Sequence, residues 1–211
     1  MKPTPSELRA LARRDPRLAR AWRGLPPFPG FPRPDQPRQR THYAALASAI
    51  VYQQLSGKAA ETIWKRVCAL DGATRFPEPG RLLAHSDEPL RAAGLSRAKV
   101  AALRDLCQRI EDGRLLLARL ARGSDERVIE ELVTVRGIGR WSAQMFLIFR
   151  LGRLDVLAEG DLGVQEGLRL LHGLDERPSP AQVLERARSW SPLSSVGCWY
   201  MWRLVERERQ R

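Results

Sequence analysis

The sequence predicts an all-α fold, and three observations support the prediction. Apolar residues recur at helical spacing in most segments, as Val128, Ile129 and Leu132 do. No run alternates apolar and polar residues at period two for long enough to predict a sheet. Serine or threonine precedes several periodic runs, at the position where such residues cap helices. At 211 residues the chain can bury the core of one domain or of two closely packed lobes.

The first forty residues are predicted as a helix followed by a stiff connector. The helix is expected from Ser6 to Trp22. Residues 24–40 contain six prolines, too many for the interior of a helix or strand, so this segment is expected to be extended. Phe28 and Phe31 are available in it as apolar anchors.

The middle of the chain is predicted as helices with clear starts and stops. The expected elements are a helix from Thr41 to about Tyr52, an interruption at 53–57, a helix to about Leu70, a Gly/Pro-rich loop at 71–80, and a long helix from Ser96 to Asp112-Gly113. Three further helices are expected near 162–171, 180–189 and 195–209.

Two glycines one residue apart, Gly137 and Gly139, separate two further predicted helices. Ser124 caps the first of these, and acids in its first turn match the helix dipole. Glycine permits positive φ and a close approach of backbone, so a hairpin with bare amides at the start of its second helix is a phosphate-binding device. Asp161 follows it and indicates chemistry on a nucleic acid, because docking alone needs no acid.

The charge balance favours an anionic partner. The chain has 36 Lys+Arg against 24 Asp+Glu, a formal net charge of +12 and a sequence pI near 10.8. A field of this sign attracts polyanions by steering and counterion release, although a solvated Arg-rich surface explains the composition equally well. Arginine provides nearly all of the positive charge, since the chain has only the lysines at 2, 58, 65 and 99.

Other features narrow the class of protein. Cys68, Cys107 and Cys198 are odd in number and far apart, so they are expected to be buried reduced thiols and form neither a disulfide framework nor an iron–sulfur ligand set. No apolar run approaches the roughly 20 residues needed to cross a bilayer. The N-terminus lacks the apolar core of a signal peptide, and a cytoplasmic protein without a membrane partner is expected.

Three ordered motifs resemble the helix-hairpin-helix (HhH-GPD) DNA glycosylases. The first is the segment 137–143 with Asp161. The second, 50–60, looks like an element of 3-methyladenine DNA glycosylase II and its compact yeast counterparts, and the third is 93–100. The resemblance covers about 41–202 and implies an all-helical, two-lobed fold with the lesion cleft between the lobes. One lobe is expected at 41–155, with the hairpin at about 124–150, and the other at 1–40 plus 156–211.

The resemblance implies roles for individual residues. Asp161 is the catalytic carboxylate, and Gln54 wedges into the duplex after a base flips out, with Leu55 the neighbouring candidate. Trp141 and Trp202 line the base pocket, together with Met145 at a place where an aromatic residue is common. The residues expected at the DNA backbone are Gly57, Lys58, Arg97, Lys99, Arg136, Gly137, Ile138, Gly139, Arg140 and Ser142. A monovalent cation, Na⁺ or K⁺, is implied at the main-chain carbonyls of Val133, Val135 and Gly137, and no cofactor is expected to be required.

The implied reaction is hydrolysis of the N-glycosidic bond of an alkylated base of the 3-methyladenine or 7-methylguanine type. A carboxylate near C1′ stabilises the positive charge that develops on the sugar and orients a water. Glycosylases that also cut the strand use a lysine amine. Here Trp141 occupies the position of that lysine and no lysine follows Lys99, so monofunctional hydrolysis on double-stranded DNA by a monomer is expected.

Alternatives remain open for function and for residues. The chain could instead be a glycosylase for deaminated or oxidised bases, or a catalytically silent DNA-binding module. Asp161 could simply cap the helix that follows it, and Trp202 could belong to the core. Gln54 could be an ordinary polar helix end, and a solvated helix face explains Arg97 and Lys99 nearly as well as phosphate contacts do.

Some positions depart from the family pattern. Arg136 stands where proline is usual in the hairpin, and Ser142 replaces a threonine. Leu193 and Ser194 stand where an aromatic residue and an arginine are usual, which puts any interaction of that arginine in doubt.

Overall fold

The computed structural model describes residues 1–32 and 41–210. Within these ranges the chain is helical and contains no β-strand, so the predicted all-α class is confirmed. The part of the predicted connector that holds Pro34 and Pro37 lies outside the described residues. Its earlier part is non-helical, and both predicted anchors, Phe28 and Phe31, are buried and in edge-to-face contact.

The chain divides into two compact units, one of Met1–Arg38 with Leu147–Arg211 and one of Gln39–Phe146. The structure thus places the second boundary earlier than the predicted position near 155. The physical reason is that Phe149 packs against Phe31 and Trp202, with ring centroids 4.9 Å and 5.4 Å away, and both belong to the first unit.

The unit Gln39–Phe146 contains eight α-helices among its described residues: α3 (His42–Tyr52), α4 (Gly57–Ala69), α5 (Pro79–Ala84), α6 (Asp87–Ala92), α7 (Arg97–Glu111), α8 (Leu117–Leu120), α9 (Asp125–Leu132) and α10 (Arg140–Met145). The predicted caps Thr41, Ser96 and Ser124 each accept a main-chain N–H with their hydroxyl oxygen. Three short helices, α5, α6 and α8, were not predicted, and α5 begins inside the expected loop at 71–80.

Helix α7 lies at the centre of this unit. Val100, Leu103, Leu106 and Cys107 are buried on one of its faces, and the helix packs against α3, α5 and α6. Its position fixes the turn that follows α3 and the turn that follows α9, because side chains of α7 reach both.

The other unit contains α1 (Pro5–Arg14), α2 (Pro16–Trp22), α11 (Leu162–His172), α12 (Pro180–Arg186) and α13 (Ser194–Arg209), with a π-helix at Phe146–Leu151 leading into it and a 3₁₀ turn at Arg188–Trp190. The single helix predicted from Ser6 to Trp22 is wrong. Pro16 has no N–H to continue α1, and Asp15 instead caps α2 through the N–H groups of Arg17 and Leu18.

Helix α13 forms the core of this unit together with α11. Every residue from Ser194 to Met201 is buried, so this part of α13 is enclosed on all sides. The three cysteines of the chain are buried free thiols, as predicted, and burial raises the pKa of Cys107 to about 11 and that of Cys198 to about 12. No helix among the described residues is long and apolar enough to cross a membrane.

Candidate functional site

Asp161 is the N-cap residue of α11 and is only 8% exposed. Its Oδ1 accepts two hydrogen bonds, from the main-chain N–H of Val164 at 2.8 Å and from the indole Nε1 of Trp202 at 2.8 Å. The capping interpretation of Asp161 is therefore confirmed. These bonds fix the carboxylate in place, and its chemical role stays a prediction.

An aromatic stack adjoins the carboxylate. Trp202 is partly exposed and stacks on Phe149, with ring planes 27° apart. Its neighbours Trp199 and Tyr200 are buried, so the core role lies with them. A Cβ at Gly163 would lie 2.7 Å from Trp202 Cδ1 and 3.0 Å from Asp161 Oδ1, so glycine there leaves room for the pair.

Sequence reasoning missed the part that Phe149 plays. Its spacing from Met145 placed Phe149 on the apolar face of a predicted helix, but this pattern did not show whether its side chain lies in the core or at the site. Helical periodicity could not identify its neighbours because Phe149 lies in the π-helix, where an extra residue per turn changes which side chains share a face.

The predicted pocket residues Trp141 and Met145 lie on α10, in the other unit. Trp141 is 48% exposed, unusual for so large an aromatic side chain, and Met145 is partly exposed at the end of the helix. Both side chains thus present apolar surface that a flat ligand could cover.

The hairpin between α9 and α10 is built as the glycine pattern predicts. Gly137 has φ +78°, and a Cβ there would lie 3.1 Å from the Cβ of Ala102 on α7. Gly139 has ordinary φ, open space beside it, and serves as N-cap of α10 without any side-chain cap. No side chain caps the start of α10, and a helix start of this kind is suited to an anion.

Three residues expected at the DNA backbone have their side chains engaged elsewhere. Ile138 is 4% exposed and its N–H donates to Val135 O at 3.0 Å, so it holds the turn together. Ser142 is 7% exposed, so only its main chain could reach a phosphate. Arg140 forms a two-pronged ion pair with Glu126 across the hairpin, at 2.9 and 3.3 Å.

Arg136, which departs from the family proline, donates its main-chain N–H to Asp105 Oδ2 on α7 at 2.8 Å. Asp105 also accepts from Arg109 Nε at 2.9 Å. Burial acts to raise the pKa of Asp105, but these two hydrogen bonds and the charge of Arg109 outweigh it and leave the pKa below its usual value. The side chain of Arg136 itself is exposed and available to an anion.

The predicted wedge residues lie in the turn between α3 and α4. Gln54 is exposed with φ +55°, and Leu55 is 39% exposed. Gln53 bridges this turn to the hairpin, because its Nε2 donates to Gly137 O at 2.8 Å. Residues 53–55 are called the wedge turn below.

The remaining predicted backbone contacts differ in their surroundings. Gly57 and Lys58 are exposed in the first turn of α4, which Ser56 caps, and Arg97 is exposed at the start of α7. Lys99 is partly buried instead, and its ammonium donates to Val51 O at 2.7 Å and to Gln53 O at 2.9 Å. Burial lowers the pKa of Lys99.

The implied cation site consists of carbonyl oxygens, a donor type that suits hard cations. Two of the three carbonyls already accept one hydrogen bond each, Val135 O from Ile138 N and Gly137 O from Gln53. A carbonyl oxygen has two lone pairs, so a second interaction at each is compatible with this arrangement.

The sequence matches the family described as HhH-GPD superfamily base excision DNA repair protein over residues 47–192, a range that includes Gln54, the hairpin and Asp161. The chain belongs to the HhH-GPD superfamily. The family resemblance read from the three sequence motifs is thereby confirmed.

Individual HhH-GPD proteins resemble the chain over most of its length. DNA-3-methyladenine glycosylase 1 of Schizosaccharomyces pombe is 33% identical over 86% of this chain and 81% of its own. DNA-3-methyladenine glycosylase of Saccharomyces cerevisiae is 40% identical, but the match spans 70% of this chain and 51% of that protein.

Solved HhH-GPD structures agree with the fold. The DNA-3-methyladenine glycosidase of Bacillus halodurans superposes with a TM-score of 0.81 at 36% identity, covering 99% of this chain and 92% of that one. A 3-methyladenine DNA glycosylase of S. pombe, in complex with abasic DNA, gives 0.77 at 30% identity, covering 94% and 95%. The helix-hairpin-helix glycosylase fold is therefore established for this chain.

Proposed function

We propose that the protein is a monofunctional DNA glycosylase that removes alkylated bases, of the 3-methyladenine or 7-methylguanine type, from double-stranded DNA. The observation that carries the proposal is the Asp161 carboxylate, fixed at the start of α11 by Val164 N–H and Trp202 Nε1. The names of the S. pombe and B. halodurans relatives support the substrate class.

The chemistry follows from the charge that develops on the sugar. As the bond between C1′ and the base nitrogen breaks, its electron pair leaves with the base and the deoxyribose becomes cationic. An anionic carboxylate held nearby stabilises this cation, and the same group orients a water and accepts its proton as the water oxygen bonds to C1′. The products are the free base and an abasic site. A base alkylated on a ring nitrogen is already cationic and leaves readily, so a strong general acid is not needed.

The substrate must leave the stacked duplex before this chemistry can occur. Gln54 and Leu55, exposed on the wedge turn, fill the gap that the flipped nucleotide leaves. Each of the predicted pocket aromatics, Trp141 and Trp202, has a ring face that attracts a cationic base by cation–π interaction, which is worth about 0.5–2 kcal/mol per contact.

DNA is held through its backbone at the hairpin and at α4. This contact is made by main-chain amides at the start of α10, by the Arg136 side chain and by Lys58. The carbonyls of Val133, Val135 and Gly137 would hold a monovalent cation, which would add positive charge beside a phosphate.

The lack of a strand-cutting step follows from the lysine positions. Schiff-base formation needs an uncharged amine at the reacting carbon. The exposed Trp141 stands where bifunctional relatives place that amine, and Lys99 donates to main-chain carbonyls of α3 and the wedge turn. Borohydride treatment during turnover should therefore trap no covalent protein–DNA complex.

The test is base release from oligonucleotide duplexes with one defined lesion each. Wild type is expected to release 3-methyladenine and 7-methylguanine, and Asp161→Asn is expected to release neither. Asp175→Asn, which removes an exposed carboxylate of the same unit, is the matched control and should behave as wild type. If only deaminated or oxidised bases were released, the chain would be a glycosylase for those bases and not for alkylated ones. Salt-sensitive binding with no release from any lesion would make the chain a silent DNA-binding module.

A further inference from the structure

Lys99 supports the end of a helix whose last carbonyls need partners. The final four C=O groups of any α-helix lack intrahelical donors. At the end of α3, the Lys99 ammonium supplies two donors, to Val51 O at 2.7 Å and to Gln53 O at 2.9 Å. A cation at a helix C-terminus also interacts favourably with the helix dipole. Lys99 therefore stabilises both the last turn of α3 and the first residue of the wedge turn.

The wedge turn is held in a conformation that its sequence does not favour. Gln54 is the non-glycine residue with positive φ among residues 1–32 and 41–210. Side chains with a Cβ avoid this region unless the surroundings impose it. The surroundings here are the two Lys99 bonds on one side of Gln54 and the Ser56 cap of α4 on the other.

The same turn is tied to the hairpin. Gln53 Nε2 donates to Gly137 O at 2.8 Å, and α7 also reaches the hairpin through Asp105, which accepts the Arg136 N–H at 2.8 Å. Helix α7 therefore fixes both turns, with Lys99 at one and Asp105 at the other. The position of the wedge turn relative to the hairpin therefore depends on these hydrogen bonds as well as on apolar packing.

We propose that Lys99 is a positioning residue that holds the wedge turn in register with the hairpin, so that Gln54 and Leu55 enter the duplex where the hairpin grips it. This role replaces the phosphate contact expected for Lys99 from its sequence. The proposal rests on the proposed function, because a wedge has a use only in an enzyme that extrudes a base.

The decisive variants are Lys99→Met, which keeps the length of the side chain and removes its donors, and Lys99→Arg, which restores donors and charge. Lys65→Met is the matched control, because it removes one exposed positive charge on α4 that pairs with Glu61 and is not among the predicted DNA contacts. Thermal unfolding of each variant checks that it is folded.

The first readout compares base release from one lesion in a duplex and in a single strand, where no gap needs filling. Lys99→Met should lower kcat on the duplex by on the order of 10²-fold, as a misplaced positioning group does. It should leave single-strand release close to wild type, and Lys99→Arg should recover much of the duplex rate. An equal loss on both substrates in a folded protein would overturn the proposal.

The second readout needs no catalysis and so separates this proposal from the proposed function. When the wedge turn is correctly placed relative to the hairpin, the protein should bind duplex with an abasic-site analogue more tightly than intact duplex. The fluorescence of a 2-aminopurine next to the analogue should also rise, because the wedge unstacks that base. Lys99→Met should lose most of this preference and brightening, while Lys65→Met keeps both. If Lys99 contacted a phosphate instead, binding to intact duplex would weaken and the salt slope would fall by about one relative to wild type, which would overturn the proposal.

Discussion

The double role of Asp161 can be separated by comparing two substitutions. Asp161→Ala removes the cap of α11 and the acceptor for Trp202 Nε1, whereas Asp161→Asn keeps one oxygen as acceptor and replaces the other oxygen, and with it the negative charge, by an amide NH2. Asparagine caps helices about as well as aspartate does. The two variants therefore differ in stability and agree in the loss of the carboxylate.

The expected losses in the free energy of unfolding follow from the two hydrogen bonds that Asp161 accepts. Losing an N-cap costs about 1 kcal/mol, and losing the acceptor for the indole N–H costs about 1–2 kcal/mol, since Trp202 is partly exposed and water replaces part of the bond. Asp161→Ala should thus lower the free energy of unfolding by about 2–3 kcal/mol, or roughly 4–12 °C in Tm for a chain of this size. Asp161→Asn should cost less than about 1 kcal/mol. Both should reduce base release by at least on the order of 10²-fold if the charge acts on the transition state.

The assay pairs thermal unfolding with single-turnover base release at a temperature where every variant is folded. Ser179→Ala, which breaks the capping box of α12, is the control that loses a cap and keeps full activity. Full activity in Asp161→Asn would show that the residue is a cap and nothing more. A stability loss in Asp161→Asn as large as that in Asp161→Ala would refute the assignment of the two hydrogen bonds.

Three other predictions follow from the structure. Gly137→Ala should lower the free energy of unfolding by about 1–2 kcal/mol, because the φ of this residue is +78°. Gly139→Ala should leave Tm unchanged, because the space beside this glycine is open, but the new methyl group should keep the DNA backbone from approaching and so weaken DNA binding in a salt titration. Gly197→Ala should lower the free energy of unfolding by at least about 1–3 kcal/mol in urea melts, because the new Cβ would lie 2.2 Å from Trp190 Cε3. Burial, followed by nearby arginines, lowers the pKa of His172 below its usual value, so the unfolded chain binds more protons than the folded one once the pH is low enough to protonate it. The free energy of unfolding should therefore start to drop as the pH falls through about 6.5, the usual pKa of histidine, and His172→Gln should flatten that slope.

Helix starts could be predicted from sequence because their causes are local. The hydroxyls of Thr41, Ser96 and Ser124 bond to N–H groups three residues away, within the reach of a short pattern. The cause of the helix break at Asp15-Pro16 is equally local. It was not predicted because the apolar residues keep their helical spacing on both sides of Pro16.

Features that depend on distant residues were out of reach. The hydrogen bond from Trp202 Nε1 to Asp161 joins residues 41 positions apart, and that from Gln53 to Gly137 joins residues 84 apart. The aromatic contacts of Phe149 are of the same kind, since its partners Phe31 and Trp202 lie far from it in the sequence. The sequence thus named candidate site residues such as Asp161 and Gln54, while their hydrogen-bonding partners, and the place of Phe149 beside Trp202, needed the fold.

Two of the departures from the family pattern, Arg136 and Ser194, share one physical explanation. Proline at position 136 would have no N–H, so arginine there gives Asp105 a donor that the usual residue could not supply. Ser194, in place of an arginine, donates its hydroxyl to Asp155 Oδ1 at 2.6 Å, and Ser191 donates to Oδ2 of the same carboxylate at 2.7 Å. In each case an aspartate on another segment accepts the new donors. Each of these residues is thus anchored to a carboxylate, Arg136 to Asp105 at the hairpin and Ser194 to Asp155 at the start of α13.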